Sequence, residues 1–377
     1  MNNKPNYSKG NRREIVYLLL NLGILPYPSI RVLSKSEGSL NRTHQTIRKM
    51  EAEQMIERKK LKNTRYGSQF LTLKNFEKNK DTLAEYIPKE CIEYYQSTHK
   101  AQIYTTWIDS NAKGMRKINE AYLGAMMYGA GFDTFVDQDG NDCKYYNSKE
   151  LKKYLHYGDD VSVLDGERKV SFTKGYGVAV SPGGNYMSYM TWHNTLPRIS
   201  EGEYKLKNMT SGIVRQLGIN DTDIEGLVFV NNMQSISPFL DINNMNKAEY
   251  KRLMVMLSIY PSVYILPYDK NGREHLKLMS QPLWKEKLVK EATGEYQNTN
   301  NVNYSCHHYD SNTDVGTLVF CVPDIGMLMS FYMAANRVRD RHLFQIICFD
   351  YQLPFVKKVC GGLCDIYTTS LKEYCKN

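Results

Sequence analysis

Apolar and polar positions follow a helical period over the first fifty-odd residues of this chain. Asn11 can cap a helix in which Ile15, Leu18, Leu19 and Leu22 fall on one face, and Gly23 ends it. Pro26 and Pro28 start a second, short helix through Ile30 and Leu33. Ser36-Glu37-Gly38 reads as a turn, and a third helix runs from about Ser39 to Gln54 with Leu40, Ile47 and Met50 pointing inward. The period then changes. Met55 to Arg58 starts a strand, Asn63 to Gly67 is a turn, and Gln69 to Leu73 returns as the partner strand. Three helices and a hairpin of this length predict a winged helix over residues 11–75, behind a polar arm, 1–10, that carries Lys4 and Lys9.

Residues 76–110 read as a charged helical connector broken at Pro88. From 111 to 377 the pattern predicts one α/β domain. A helix over about 111–128 leads to short strands near 134–136, 161–163 and 170–172. A hairpin follows, Gly177 to Val180 and Tyr186 to Trp192, turning at Pro182-Gly183-Gly184. Helices near 203–217, 247–258, 284–292, 325–338 and 354–373 then alternate with apolar strands near 227–230, 263–266, 317–322 and 343–349. That alternation predicts a mixed, largely parallel sheet flanked by helices. No sequence repeat of fixed period is visible.

Charge sharpens the picture. Residues 1–80 hold 17 Lys/Arg against 6 Asp/Glu, a net of +11, while the whole chain is +9, so residues 81–377 sum to −2. The basic excess sits on one small N-terminal unit, which points to phosphate as its partner. Arg42, Thr43, His44, Gln45 and Arg48 are expected on the exposed arc of the third helix, where Arg forks onto guanine, Gln onto adenine and Thr meets a thymine methyl. Lys49 is placed for phosphate. Arg58, Lys59, Lys60, Lys62, Arg65 and Tyr66 make a basic wing along double-stranded DNA. The competing reading is a solvated basic face on a protein-interaction module.

The rest of the chain offers less chemistry. MNNKPNYSKG is polar and no apolar run reaches the roughly 20 residues of a membrane span, so a cytoplasmic protein without membrane contact is expected. The eight cysteines lack paired Cys-x-x-Cys spacing, and the expectation is reduced, buried thiols, no metal and no cofactor. Ser181-Pro182-Gly183-Gly184 lacks the Lys-Ser/Thr of a phosphate loop. His307 and His308 are adjacent, so on a strand they face opposite ways.

The order helix, short strands, hairpin, helix, strand resembles that of restriction-endonuclease-like folds, which hold Mg²⁺ with an Asp and an acidic-x-Lys pair. Asp160, Glu167 and Lys169 are the alternative nuclease set. Asp165-Gly166 beside them is equally a hairpin turn. Glu203-x-Lys205 and Glu249-x-Lys251 fall in predicted helices and read as solvated faces. The hairpin strand where acids belong carries Met187, Ser188, Tyr189, Met190 and Thr191 instead.

With the residues Arg12 to Leu22, the short second helix, Thr43-x-x-x-x-Arg48-Lys49-Met50-Glu51, Met55-Ile56 and Leu71-Thr72-Leu73, the chain resembles the replication-relaxation proteins of plasmids and integrative elements of Gram-positive bacteria. The similarity spans about 65 residues and is architectural beyond them. It implies a DNA-binding accessory or regulatory protein of a mobile element, active in replication, conjugative transfer or transcription control. It further implies a degenerate, non-catalytic α/β domain that forms a homodimer or recruits a relaxase or replication protein.

Overall fold

A computed structural model describes residues 11–60, 69–84, 87–98, 111–134, 141–147, 151, 175–192, 197, 199, 201–217, 222–236, 247–294 and 304–375. The chain is mixed α/β and divides into two compact units, 1–147 and 148–377.

In the first unit, α1 (Asn11–Leu22) is the central element. Ile15 to Leu20 are all buried, not only the predicted face, because α1 is packed between α3 (Glu37–Ala52), α5 (Lys89–Thr98) and α6 (Asn111–Gly129). A helix apolar all round needs cover all round. Short β1 (Leu25–Pro26) pairs with β3 (Gln69–Leu73), which pairs with β2 (Ile56–Lys60), all antiparallel, in the order β1-β3-β2. The register sets Ile56 opposite Leu73 and Lys60 opposite Gln69. Between β1 and α3 lies α2 (Ser29–Leu33), and α4 (Phe76–Ala84) precedes α5.

Two sequence expectations shift here. Ser36-Glu37-Gly38 is not a turn but the start of α3: the Ser36 hydroxyl accepts from the Ser39 amide at 3.2 Å, and Glu37 sits in the first turn, where the helix dipole favours an acid. The helix over 111–129 packs on α1, α2 and β1, so the chain divides after 147 and not at 110. Gly124 explains the fit, because a Cβ there would lie 2.3 Å from Leu22 Cδ2. Tyr17 and Tyr128 rings lie 5.6 Å apart, tilted by 39°, in the same interface, and Asn21 donates to Thr134. Periodicity shows that a helix has an apolar face, but not which domain supplies the surface it covers.

Strand β4 (Lys144–Asn147) ends the first unit. The second unit contributes four strands to each of two sheets, and connects them in the same way. The first has β5 (Gly177–Ser181) antiparallel to β6 (Gly184–Thr191), then β7 (Ile224–Val230) and β8 (Val263–Pro267) added in parallel. Helix α7 (Glu201–Leu217) joins β6 to β7, while α8 (Met233–Ile236) and α9 (Lys247–Ile259) lie between β7 and β8. After α10 (Lys270–Met279) and α11 (Trp284–Thr293), the second sheet repeats the plan. There β9 (His308–Asp310) is antiparallel to β10 (Val315–Val319), and β11 (Phe344–Phe349) and β12 (Asp365–Thr369) are parallel additions. Its crossovers are α12 (Ile325–Val338) and α13 (Leu353–Cys360).

Residues of β5, β6 and β8 are buried without alternation, as strands covered on both faces must be. Helix α10 escaped the sequence reading, although Asp269 caps it by accepting from the Gly272 amide at 3.0 Å. The predicted closing helix over 354–373 is broken: Gly362, at φ +96°, turns α13 into β12.

Candidate nucleic-acid interface

The outward arc of α3 is built by what its other side buries. Ile47 and Met50 are fully buried, and a rotation of 100° per residue then aims Asn41, Arg42, Gln45, Arg48 and Lys49 at solvent. All five are exposed. Beyond the first turn this arc carries no acid. Asn41, near its centre, was missed from the sequence, although its place four residues before Gln45 is the signal that finds it.

Thr43 is not on that arc. It lies on the flank toward Ile47 and Met50, half-buried, with its hydroxyl donating to the Ser39 carbonyl at 2.9 Å. His44 is half-buried and its Nδ1 lies 2.8 Å from the Tyr27 hydroxyl, a hydrogen bond that takes one ring nitrogen away from solvent. Leu40, expected inward, is half-exposed.

On the hairpin, Arg58 forks onto Glu51 of α3, Nε to Oε1 at 3.2 Å and Nη2 to Oε2 at 3.3 Å. Lys59 pairs with Glu57 at 2.7 Å. Arg12 pairs with Glu53. The acids of α3's end and of β2 are therefore matched to their own neighbours, which leaves the cations on the arc uncompensated. Arg42 Nε donates to the Gly38 carbonyl at 3.3 Å, and Arg42 has no ion pair among the described residues. Arg48, Lys49 and Lys60 are exposed and have no ion-pair partner among the described residues. Lys62, Arg65 and Tyr66 lie outside the described residues, as do Asp160, Glu167 and Lys169.

In the second unit the polar groups are buried and tied together. Glu203, expected on a solvated face, is wholly buried. Its carboxylate accepts from the Tyr189 hydroxyl at 3.1 Å and from the Gly175 amide at 3.3 Å, and Tyr189 and Tyr260 hydroxyls lie 2.5 Å apart. The amphipathic pattern of α7 hid this, because a carboxylate can enter a core when donors meet it there. Glu225 accepts from Lys285 at 2.6 Å and from the Tyr264 hydroxyl at 2.9 Å. Burial raises its pKa and Lys285 works against that rise. Asp324 is raised likewise by burial while it caps α12 through the Gly326 amide at 2.7 Å.

His275 is fully buried, 2.5 Å from the Tyr351 hydroxyl, and burial lowers its pKa to about 3. His307 Nδ1 accepts from the Val319 amide at 3.1 Å, and burial lowers it to about 4. These groups cement elements to one another. Among the described residues, no three His, Cys, Asp or Glu side chains converge to hold a metal, and no helix is long and apolar enough to cross a membrane. No protein-family model matches the chain, and no curated protein or solved structure matches it.

Proposed function

We propose that this chain binds double-stranded DNA through residues 11–75 acting as a winged helix, with α3 in the major groove and the β2–β3 hairpin along the backbone. The observation that carries this reading is the α3 arc. Three exposed cations, Arg42, Arg48 and Lys49, flank two amides, Asn41 and Gln45, while Glu51 and Glu53 at the end of the helix are already paired with Arg58 and Arg12. Amide and guanidinium groups are the side chains that read base edges, and cations meet phosphate.

The second unit serves in this reading as a non-catalytic assembly module, forming a homodimer or recruiting a replication or transfer protein of a mobile element. An antiparallel hairpin followed by two parallel strands supports a restriction-endonuclease-like ancestry for it, and the absence of any acid from β5 and β6 supports the loss of catalysis.

Fluorescence anisotropy on labelled duplex, across a salt series, tests the proposal. The expected result is a log–log slope of about −0.9 for each phosphate neutralised. Negligible binding down to about 50 mM salt overturns it.

A further inference from the structure

Tyr27 touches three elements of the first unit at once. Its amide donates to the Gln69 carbonyl of β3 at 2.9 Å. Its hydroxyl meets His44 Nδ1 of α3 at 2.8 Å, with the two rings 5.3 Å apart and tilted by 32°. The guanidinium carbon of Arg58, on β2, lies 4.4 Å from the centre of its ring. The same guanidinium forks onto Glu51, the penultimate residue of α3.

Arg58 is thus occupied on its face by an aromatic ring and on its edge by a carboxylate. Both interactions suit the planar guanidinium; an ammonium can sit over a ring or meet a carboxylate, but it cannot stack its plane on the ring while forking onto the acid. A phosphate would have to displace Glu51 to reach it, and the pair is already neutral.

We propose that Tyr27, Arg58 and Glu51 form a clamp that fixes the angle of the β2–β3 hairpin against α3, and that Arg58 is a positioning residue, not a phosphate ligand. The proposal rests on the DNA-binding reading above and deepens it. It separates the hairpin's cations into two kinds: Arg58 sets geometry, while Lys60 and the α3 arc meet the nucleic acid.

The test uses the full chain and the duplex that it selects from a randomised pool, with a scrambled duplex beside it. Arg58→Ala is expected to leave the salt slope unchanged and to lower the ratio of selected to scrambled affinity. A variant that is merely less folded loses both duplexes equally and leaves that ratio intact. Arg58→Lys keeps the charge but neither stacks nor forks, so it is expected to behave like Arg58→Ala. Lys49→Ala, by contrast, is expected to make the slope shallower by about 0.9.

A slope change of that size in Arg58→Ala, or full recovery in Arg58→Lys, overturns the clamp. Should the wild-type chain bind no duplex, the DNA reading falls on its own. Thermal melts of Glu51→Ala, Arg58→Ala and the double variant then judge the clamp separately. A double variant less destabilised than the sum of the two single variants supports it, and strict additivity overturns it.

Discussion

On α3, Arg42, Arg48 and Lys49 stand in water with little holding them, whereas in the second unit Glu203, Asp324 and His275 are buried among strands and aromatic rings. The exposed cations keep their hydration and add little to folding, so a partner that arrives later can use them. The buried groups have lost their hydration and recover it only through fixed donors: the Tyr189 hydroxyl for Glu203, and the Gly326 amide for Asp324. Such groups specify how elements fit. Under the proposed function, the difference gives recognition to one unit and architecture to the other.

The largest effect that tests this division is expected from Glu203→Ala. It removes the buried carboxylate that accepts from the Tyr189 hydroxyl and the Gly175 amide, and the loss of a buried acceptor from such a network costs about 1–3 kcal/mol. Urea denaturation should show that loss, while the folded fraction keeps its duplex affinity. Near-normal stability with lost DNA binding would reverse the assignment of the two regions.

Acid is expected to act next. An unfolded histidine takes its proton near 6.5, but His275 does so only at about 3 and His307 at about 4. The unfolded chain therefore binds more protons across those windows. The stability these residues contribute is full above pH 6.5 and declines as pH falls, by up to about 1.4 kcal/mol per pH unit for each. Glu225 and Asp324, raised by burial, act with the opposite sign in the window above their ordinary values. Urea midpoints measured from about pH 7 to about pH 5 should fall, and more gently in His275→Asn. A profile that His275→Asn leaves unchanged would mean that His275 is hydrated.

How much of this was legible beforehand follows from the same contrast. Helices α1, α2 and α3 and the hairpin were readable because local signals specify them: Gly23 as a stop, prolines before α2, and Ile47 and Met50 at helical spacing. The exposed arc was readable for Arg42, Gln45 and Arg48, since periodicity sets which side faces out. Thr43 and His44 were not, because Ser39 and Tyr27 claim them through contacts no spacing rule contains. Buried Glu203 and the second copy of the hairpin-plus-two-strands plan were also hidden. The first depends on Tyr189, and the second recurs in connectivity without recurring in sequence.

The smallest change in stability should accompany the sharpest change in binding. Arg42→Ala and Arg48→Ala remove exposed side chains from a helix whose inner face is untouched, so each should alter stability by less than about 0.5 kcal/mol. Each should also make the salt slope shallower by about 0.9 if its cation meets a phosphate. Gln45→Ala and Asn41→Ala carry no charge and should leave that slope alone while relaxing preference at one base pair, a discrimination worth about 1–3 kcal/mol. The four single variants therefore sort themselves into backbone contacts and base contacts. A set in which all four weaken every duplex alike would show that the arc attracts nucleic acid without reading it.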